Sequence, residues 1–468
     1  MKISFHGAAR MVTGSKHLIH VGNKKILLDC GLFQGMGRET YLLNSEWGFE
    51  PSEIDYVFIS HAHIDHIGLL PKLVKDGYSG KIYCTDASEA LIKLLLTDSA
   101  NIQEADVQYT NQYRSREHKE LQEPLYTVVD AENVFPLLLP YPYNTWIPVD
   151  EGIELMYSDS GHILGSAAIN LRLKENGKQV SLTFSGDIGR YRDTILRSPD
   201  VFPQADYIIM ESTYGNKLHP TAVDAKKEIF NHIVHTCLIK KGKLIIPAFS
   251  LGRTQELLYI LNELEEEGHL PPLDYVVDSP LSTKITQVVK GHPECFNREV
   301  QQLLKKDKDV FSFKKLRFTN GVEDSKSLNK INDALVIISA SGMAEAGRVK
   351  HHIKNNIDEA RNTILFVGYC EPNSLGGRLR AGAEKVTIYG EPYEVKAEIA
   401  AISTLSAHGD YEDLCQWLAC QDARQVRKLI LVHGEPEVQD ELKQRLLKKG
   451  FNDVMVPELH ETIGLGEL

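Results

Sequence analysis

His61-Ala62-His63-Ile64-Asp65-His66 sets three imidazoles and a carboxylate side by side, directly after the apolar run Tyr56-Val57-Phe58-Ile59-Ser60. Along an extended segment side chains alternate, so His61 and His63 face the same way. A turn after them swings Asp65 and His66 towards a second position. One short segment therefore begins two metal sites that distant residues complete. Imidazole nitrogen and carboxylate oxygen suit zinc, and catalytic zinc keeps one position open for water. The bland alternative is a polar loop with helix-capping histidines, and the density of donors after an apolar strand argues against it. Asp29 closes Lys25-Ile26-Leu27-Leu28, and His162 sits in Ser160-Gly161-His162-Ile163-Leu164-Gly165-Ser166. Asp187 lies in Ser185-Gly186-Asp187-Ile188-Gly189 after Val180-Ser181-Leu182-Thr183-Phe184, and His433 follows Leu429-Ile430-Leu431-Val432. Each stands at the C-terminal end of a hydrophobic strand, where loops build sites. Any one of them alone is equally a capping residue; together they form a metal constellation.

The elements that must position these groups fall into two rhythms. Up to about Glu211, short apolar strands alternate with loops and with a helix that starts near His66. The stretch from about Asn101 to Pro148 predicts a helix and then an irregular excursion marked by Pro136, Pro140, Pro142 and Pro148. From about Ser212, apolar strands alternate with amphipathic helices. Lys243-Leu244-Ile245-Ile246 leads to a helix with Leu257, Leu258, Leu261 and Leu264 on one face, and Tyr275-Val276-Val277, Leu335-Val336-Ile337-Ile338 and Ile364-Leu365-Phe366-Val367 are further strand runs. This pattern predicts a parallel sheet flanked by helices. After about Lys396 the chain must return to the first domain, because His433 is needed at its metal centre. A final helix from about Pro436 turns Val438, Leu442 and Leu446 inward and stops at Gly450.

A chain of 468 residues is too long for one compact core, and its 42% hydrophobic and 25% charged residues describe an ordinary soluble globular protein. Met1-Lys2-Ile3-Ser4-Phe5-His6 runs straight into structure, which predicts no signal peptide, and no apolar run reaches membrane-spanning length. Seven cysteines without paired spacing read as reduced thiols in a cytoplasmic protein, with Cys415 and Cys420 on one helix and packed in the core. The net charge of −12 excludes a broad basic surface. A nucleic-acid substrate would instead need a narrow basic groove, for which Arg378, Arg380 and Lys385 are candidates, with Arg114, Arg116, His118 and Lys119 in an earlier loop.

The D…HxHxDH…H…D…H order resembles the metallo-β-lactamase superfamily. Further segments resemble its β-CASP branch of nucleases: Glu211 in Met210-Glu211-Ser212-Thr213-Tyr214-Gly215, Pro247-Ala248-Phe249-Ser250-Leu251-Gly252-Arg253-Thr254-Gln255-Glu256, Ser339-Ala340-Ser341-Gly342-Met343, His408 in Ser406-Ala407-His408-Gly409-Asp410, and His433-Gly434-Glu435. The segment Gly368-Tyr369-Cys370-Glu371-Pro372 departs from the branch's usual Gly-Tyr-Gln-Ala-x-Gly-Thr pattern. The resemblance implies an α/β fold, an αββα sandwich with an inserted β-CASP α/β domain, divided as 1–211, 212–395 and 396–468.

It also implies two zinc ions per chain, one held by His61, His63 and His162, the other by Asp65, His66 and His433, with Asp187 bridging. Asp29 would accept hydrogen bonds from the histidine-bearing loop, and Asp65 and His408 would be catalytic, His408 as general acid oriented by Glu211. Ser339, Ser341 and Gly342 resemble a backbone nest for a substrate phosphate, and Arg378 joins them as a substrate contact. The implied function is zinc-dependent hydrolysis of RNA to 5′-phosphate and 3′-hydroxyl ends, by internal cleavage. Alternatives are a 5′-exoribonuclease, a small-ester or thioester hydrolase of the wider superfamily, and a non-catalytic scaffold. The expected partners are single-stranded RNA and a second copy of the chain in a homodimer, with no membrane.

Overall fold

The computed structural model describes residues 1–37, 39–116, 120–219, 223–402 and 404–466. The chain forms two units: Met1–Tyr191, Ser198–Leu218 and His408–Leu468 make the first, Arg192–Arg197 and His219–Ala407 the second. The sequence-based divisions at 212 and 396 fall earlier than these limits; at the second, Glu398–Ala401 still pairs, in parallel, with Thr363–Phe366 in the second unit's sheet.

The first unit holds two seven-stranded sheets. In spatial order one runs Thr462–Gly464, Lys2–Phe5, His17–Val21, Lys24–Leu28, Tyr56–Phe58, Lys81–Thr85 and Leu138–Tyr141. The other runs Val454–Met455, Lys428–Leu431, Tyr207–Met210, Lys178–Phe184, Ala167–Glu175, Ile153–Asp159 and Ile147–Asp150. Phe5, Ile19, Ile26 and Phe58 of the first sheet share one buried cluster with Leu155, Ile169, Leu182 and Ile209 of the second. Side chains alternate across a strand, so Ile208, Met210, Leu429 and Leu431 face outward instead. There they meet Leu442 and Leu446 of the helix Pro436–Lys448. On the other flank Asp86–Arg116 packs on Lys81–Thr85 and Leu138–Tyr141. This is the expected αββα sandwich.

Several local expectations need correction. The long helix begins at Asp86 and carries Arg114 and Arg116 at its end, so those two are helical and not in a loop. Arg114 Nε donates to the Glu120 carbonyl at 2.6 Å, and His118 and Lys119 lie outside the described residues. The proline-marked excursion contains a helix, Val128–Val134, closed by a Thr127–Asp130 capping box, and two strands. Pro140 and Pro148 sit on the edge strands Leu138–Tyr141 and Ile147–Asp150, where a missing N–H need not break a ladder. On the last helix Gln439, not Val438, takes the inward position, its amide donating to the Leu431 carbonyl at 3.3 Å. Cys415 packs beside the buried residues of that layer, whereas Cys420 is exposed. No helix among the described residues is long and apolar enough to cross a membrane.

The second unit is built on a six-stranded sheet in the order Leu316–Phe318, Asp274–Val277, Leu335–Ser339, Leu244–Pro247, Thr363–Phe366 and Glu398–Ala401. Every adjacent pair is parallel, as expected. Buried strands of this kind read as continuous apolar runs, which is why they were legible. Ile245, Ile364 and Phe366 pack with Ile353, Leu375 and Leu379 from two helices.

Asp278, just past Val277, is fully buried and gathers four donors. Thr319 Oγ1 bonds it, with Ser325 Oγ at 2.5 Å, Arg348 Nη1 at 2.6 Å and His352 Nε2 at 2.6 Å. Burial disfavours this carboxylate, but the bonds from His352, Ser325, Thr319 and Arg348 outweigh it and hold its pKa well below the ordinary range. A depressed folded-state pKa contributes stability above the unfolded value of about 3.9, lost as pH falls through it. Asp278→Asn turns an acceptor into a donor facing donors, and is expected to cost about 3–5 kcal/mol at pH 7. The gap to wild type should narrow below about pH 4. Urea unfolding followed by circular dichroism at both pH values checks it, and equal midpoints at pH 7 would rule the network out as a stabiliser.

Candidate metal centre

Each site residue lies in the first unit, at the end of an element that fixes it. Lys24–Leu28 delivers Asp29, and Tyr56–Phe58 leads through Ile59 and Ser60 to His61. His63 precedes the short helix Ile64–Ile67, its side chain making no capping bond, and that helix carries Asp65 and His66. His162 stands in the connection between Ile153–Asp159 and Ala167–Glu175, its N–H donating to Ser166 Oγ at 2.9 Å. Asp187 follows Lys178–Phe184 through Gly186, whose φ is +56°, and a Cβ there would fall 2.5 Å from that of Ser60. Only glycine takes that conformation at such close approach without strain, so the loops of Asp187 and His61 can touch. His408 precedes the helix Tyr411–Trp417, closed by an Asp410–Asp413 capping box.

Two clusters of donor atoms result: His61, His63, His162 and Asp187 in one, Asp65, His66 and His433 in the other. His63 Nδ1 lies 3.2 Å from His61 Nε2 and 3.2 Å from His162 Nε2. Asp187 Oδ2 stands 3.4 Å from His61 Nε2, 3.5 Å from His162 Nε2 and 3.4 Å from His66 Nε2. His433 Nε2 is 3.3 Å from Asp65 Oδ2. Ligands about 2.0–2.1 Å from a tetrahedral zinc stand roughly 3.3–3.4 Å apart along an edge, which these separations match. The buried atoms His66 Nε2 and Asp187 Oδ1 have no hydrogen-bond partner, and such atoms need a counterpart. The residues present fit zinc.

Electrostatics agree. Burial, with the His66 imidazole beside it, pushes His61 down to about 3, and burial pushes His63 down to about 4. Both are therefore neutral, with lone pairs to give. Burial also opposes the Asp187 carboxylate, but His433, His66 and His61 outweigh it and keep it ionised. Asp29 fixes the frame behind the ligands. It accepts from Ser60 N–H at 2.8 Å and Ser60 Oγ at 2.8 Å, and lies 2.6 Å from His66 Nδ1.

Beside the two clusters, Asp187, Glu211 and His408 form a third group. The Glu211 carboxylate accepts from Ile188 N–H at 2.7 Å and Thr213 N–H at 3.2 Å, and lies 3.2 Å from His408 Nδ1. Burial resists a charge on His408, yet the adjoining Glu211 and its hydrogen bond, then Asp187 and Asp65, raise its pKa to about 9.

The expected substrate contacts belong to the second unit. Ser339 is buried and its hydroxyl donates to the Asp278 carbonyl at 2.7 Å, so that side chain braces the loop and does not present itself to a ligand. Ser341 Oγ lies 3.4 Å from both the amide and the carbonyl of Ala346. Gly342 is covered by the Phe249 ring, and Arg378 is exposed on the helix Leu375–Arg380. The sequence reading did not assign roles to Ser60, which lies 3.0 Å from His61 Nδ1, or to Thr213, 3.1 Å from His433 Nδ1. Both sit inside motifs already singled out, so adjacency was the available signal.

Comparison with known proteins agrees with this geometry. The metallo-beta-lactamase superfamily matches residues 15–229, the Beta-Casp domain 254–379, and the Zn-dependent metallo-hydrolase RNA specificity domain 392–457. The protein of Thermus thermophilus named ribonuclease TTHA0252 is 33% identical over 438 residues, which cover 93% of this chain and 94% of that one. Transcription termination factor FttA of Methanosarcina mazei is 28% identical over 461 residues, 96% of this chain and 69% of that protein. The crystal structure of a protein of unknown function from Enterococcus faecalis V583 superposes with a TM-score of 0.54 at 13% identity, covering 99% of both chains, and shares the fold. With its His and Asp donors clustered at the strand ends, the chain belongs to the β-CASP branch of the metallo-β-lactamase superfamily, a family of zinc-dependent metallo-hydrolases that includes ribonucleases.

Proposed function

We propose that this protein is a two-zinc endoribonuclease that cuts single-stranded RNA to 5′-phosphate and 3′-hydroxyl ends. The observation that carries the reading is a single carboxylate, Asp187, in reach of donors from both clusters, 3.4 Å from His61 Nε2 and 3.4 Å from His66 Nε2. The Thermus relative named a ribonuclease supports an RNA substrate, as does the RNA specificity domain matched at 392–457. His61, His63 and His162 would hold one ion, Asp65, His66 and His433 the other, with Asp187 shared. Zinc bound there supplies an activated water and Lewis-acid stabilisation of the phosphate.

The chain's own residues do the rest. In hydrolysis the attacking water releases a proton to solvent as its oxygen bonds to phosphorus and the bond from phosphorus to the 3′ oxygen breaks, and the leaving oxygen needs a proton in turn. His408, kept protonated by Glu211 and the nearby carboxylates, gives it. Glu211, itself fixed by two backbone N–H groups, holds the imidazole in place.

A cleavage time course on a 5′-labelled unstructured RNA with zinc tests the proposal, beside a matched DNA strand. Internal fragments from RNA are expected. Labelled mononucleotide alone would replace internal cleavage with 5′-exonuclease action, and thioester or lactam turnover without RNA cleavage would overturn the reading.

A further inference from the structure

Within the second unit, three loops meet around one aromatic ring. Leu244–Pro247 lies between Leu335–Ser339 and Thr363–Phe366, and parallel sheets of this kind bind ligands beyond the carboxyl ends of their strands. The loop past the first strand carries Phe249, the loop past the second Gly342, and the loop past the third Gly368 and Tyr369. Phe249 is 37% exposed although it follows a fully buried strand. A Cβ on Gly342 would lie 2.8 Å from its ring, and one on Gly368 3.5 Å from it, so two stretches of bare backbone support the ring. The Phe249 carbonyl accepts from the Thr254 N–H at 3.2 Å and hydroxyl at 2.8 Å, and Ala248 N–H donates to the Ser339 carbonyl at 3.0 Å. The ring is thus held in a fixed loop and left partly uncovered, which forgoes burial of apolar surface. Beside it Tyr369 is 54% exposed. Arg380 Nη1 donates to the Gly368 carbonyl at 3.1 Å, and Arg378 is exposed two residues earlier on the same short helix.

Exposed aromatics beside arginines are what single-stranded nucleic acid uses: rings stack on bases of any sequence, and the guanidinium groups take phosphates. We infer that Phe249 and Tyr369 form a stacking platform for a base of the substrate RNA, with Arg378 and Arg380 on the adjoining phosphates. This rests on the ribonuclease reading above. Arg380, at the Gly368 carbonyl, brings positive charge to this loop of an acidic chain, and the absence of Cβ atoms at Gly342 and Gly368 keeps the ring seated.

The test uses steady-state cleavage of a labelled RNA with one mapped cleavage bond, and the same RNA with an abasic residue placed at each position in turn. Phe249→Leu and Tyr369→Leu are expected to raise KM about tenfold, with kcat within about twofold of wild type. Phe249→Tyr, which keeps the ring, should restore KM. One abasic position should cost wild type the same factor and add nothing further in Phe249→Leu. If the variant and every abasic position lose independently, so that the factors multiply throughout, the platform is wrong. Wild-type protein that leaves the RNA uncut would instead overturn the ribonuclease reading and the platform with it. Should Phe249→Leu fail to fold, Phe249→Tyr and Tyr369→Leu still decide the matter.

Discussion

Asp187→Ala is expected to abolish RNA cleavage and to lower the zinc content below that of wild type. Asp187 Oδ2 is within 3.5 Å of nitrogens of His61, His162 and His66, and Oδ1 lies 3.5 Å from His433 Nδ1. Removing it takes away the one carboxylate shared by both donor clusters and leaves buried imidazoles facing one another. Two-metal hydrolysis draws several kcal/mol of transition-state stabilisation from ions held by such a bridge, so kcat should fall on the order of a thousandfold or more. Metal analysis by mass spectrometry with parallel RNA assays checks both halves. A variant that keeps wild-type zinc and wild-type kcat would show that the bridging assignment is wrong.

His408→Ala is the second large effect, and it should look different. Its imidazole pairs with Glu211 and is placed by the Ile188 carbonyl that accepts Gly409 N–H at 2.8 Å; it shares a third group with Asp187 and Glu211 and lies outside the two donor sets proposed to hold zinc. Zinc content should therefore stay at the wild-type level while kcat on RNA falls about 10²–10⁴-fold, the usual range for a lost general acid. The leaving group separates this role from a structural one. A phosphodiester that releases nitrophenolate needs no proton, so the variant should lose far less on it than on RNA. Equal losses on both substrates would remove His408 from the proton-transfer step.

The clustering of the candidate donors was legible in the sequence for a physical reason. Ligands at the ends of buried strands are announced by the strand itself, and Asp29, His61, Asp187 and His433 each follow an apolar run that became a strand. The parallel sheet of the second unit was legible on the same ground. Side-chain destinations decided across the chain were not. Ser339 turns to the carbonyl of Asp278, a partner no local pattern identifies. Asp278 itself ends a strand as Asp29 does, yet its neighbours are Arg348 and His352 and not a metal site. Charge alone cannot tell a helix end from a loop, which is why Arg114 and Arg116 were misplaced. Gln439 shows the converse error: an amide inward of Val438 is apolar to no scale, but it has the Leu431 carbonyl to bond.

His433 arrives on Lys428–Leu431, a strand inserted between Tyr207–Met210 and Val454–Met455, and its N–H reaches back to the Ala8 carbonyl at 2.7 Å. The final strand Thr462–Gly464 closes onto Lys2–Phe5. On a translating ribosome, where chains fold from the N-terminus onward, His61, His63, His162 and Asp187 emerge long before these segments do. Both sheets wait for these later strands. Asp65 and His66 are likewise made early, so the second donor group lacks only His433 until this late strand is in place.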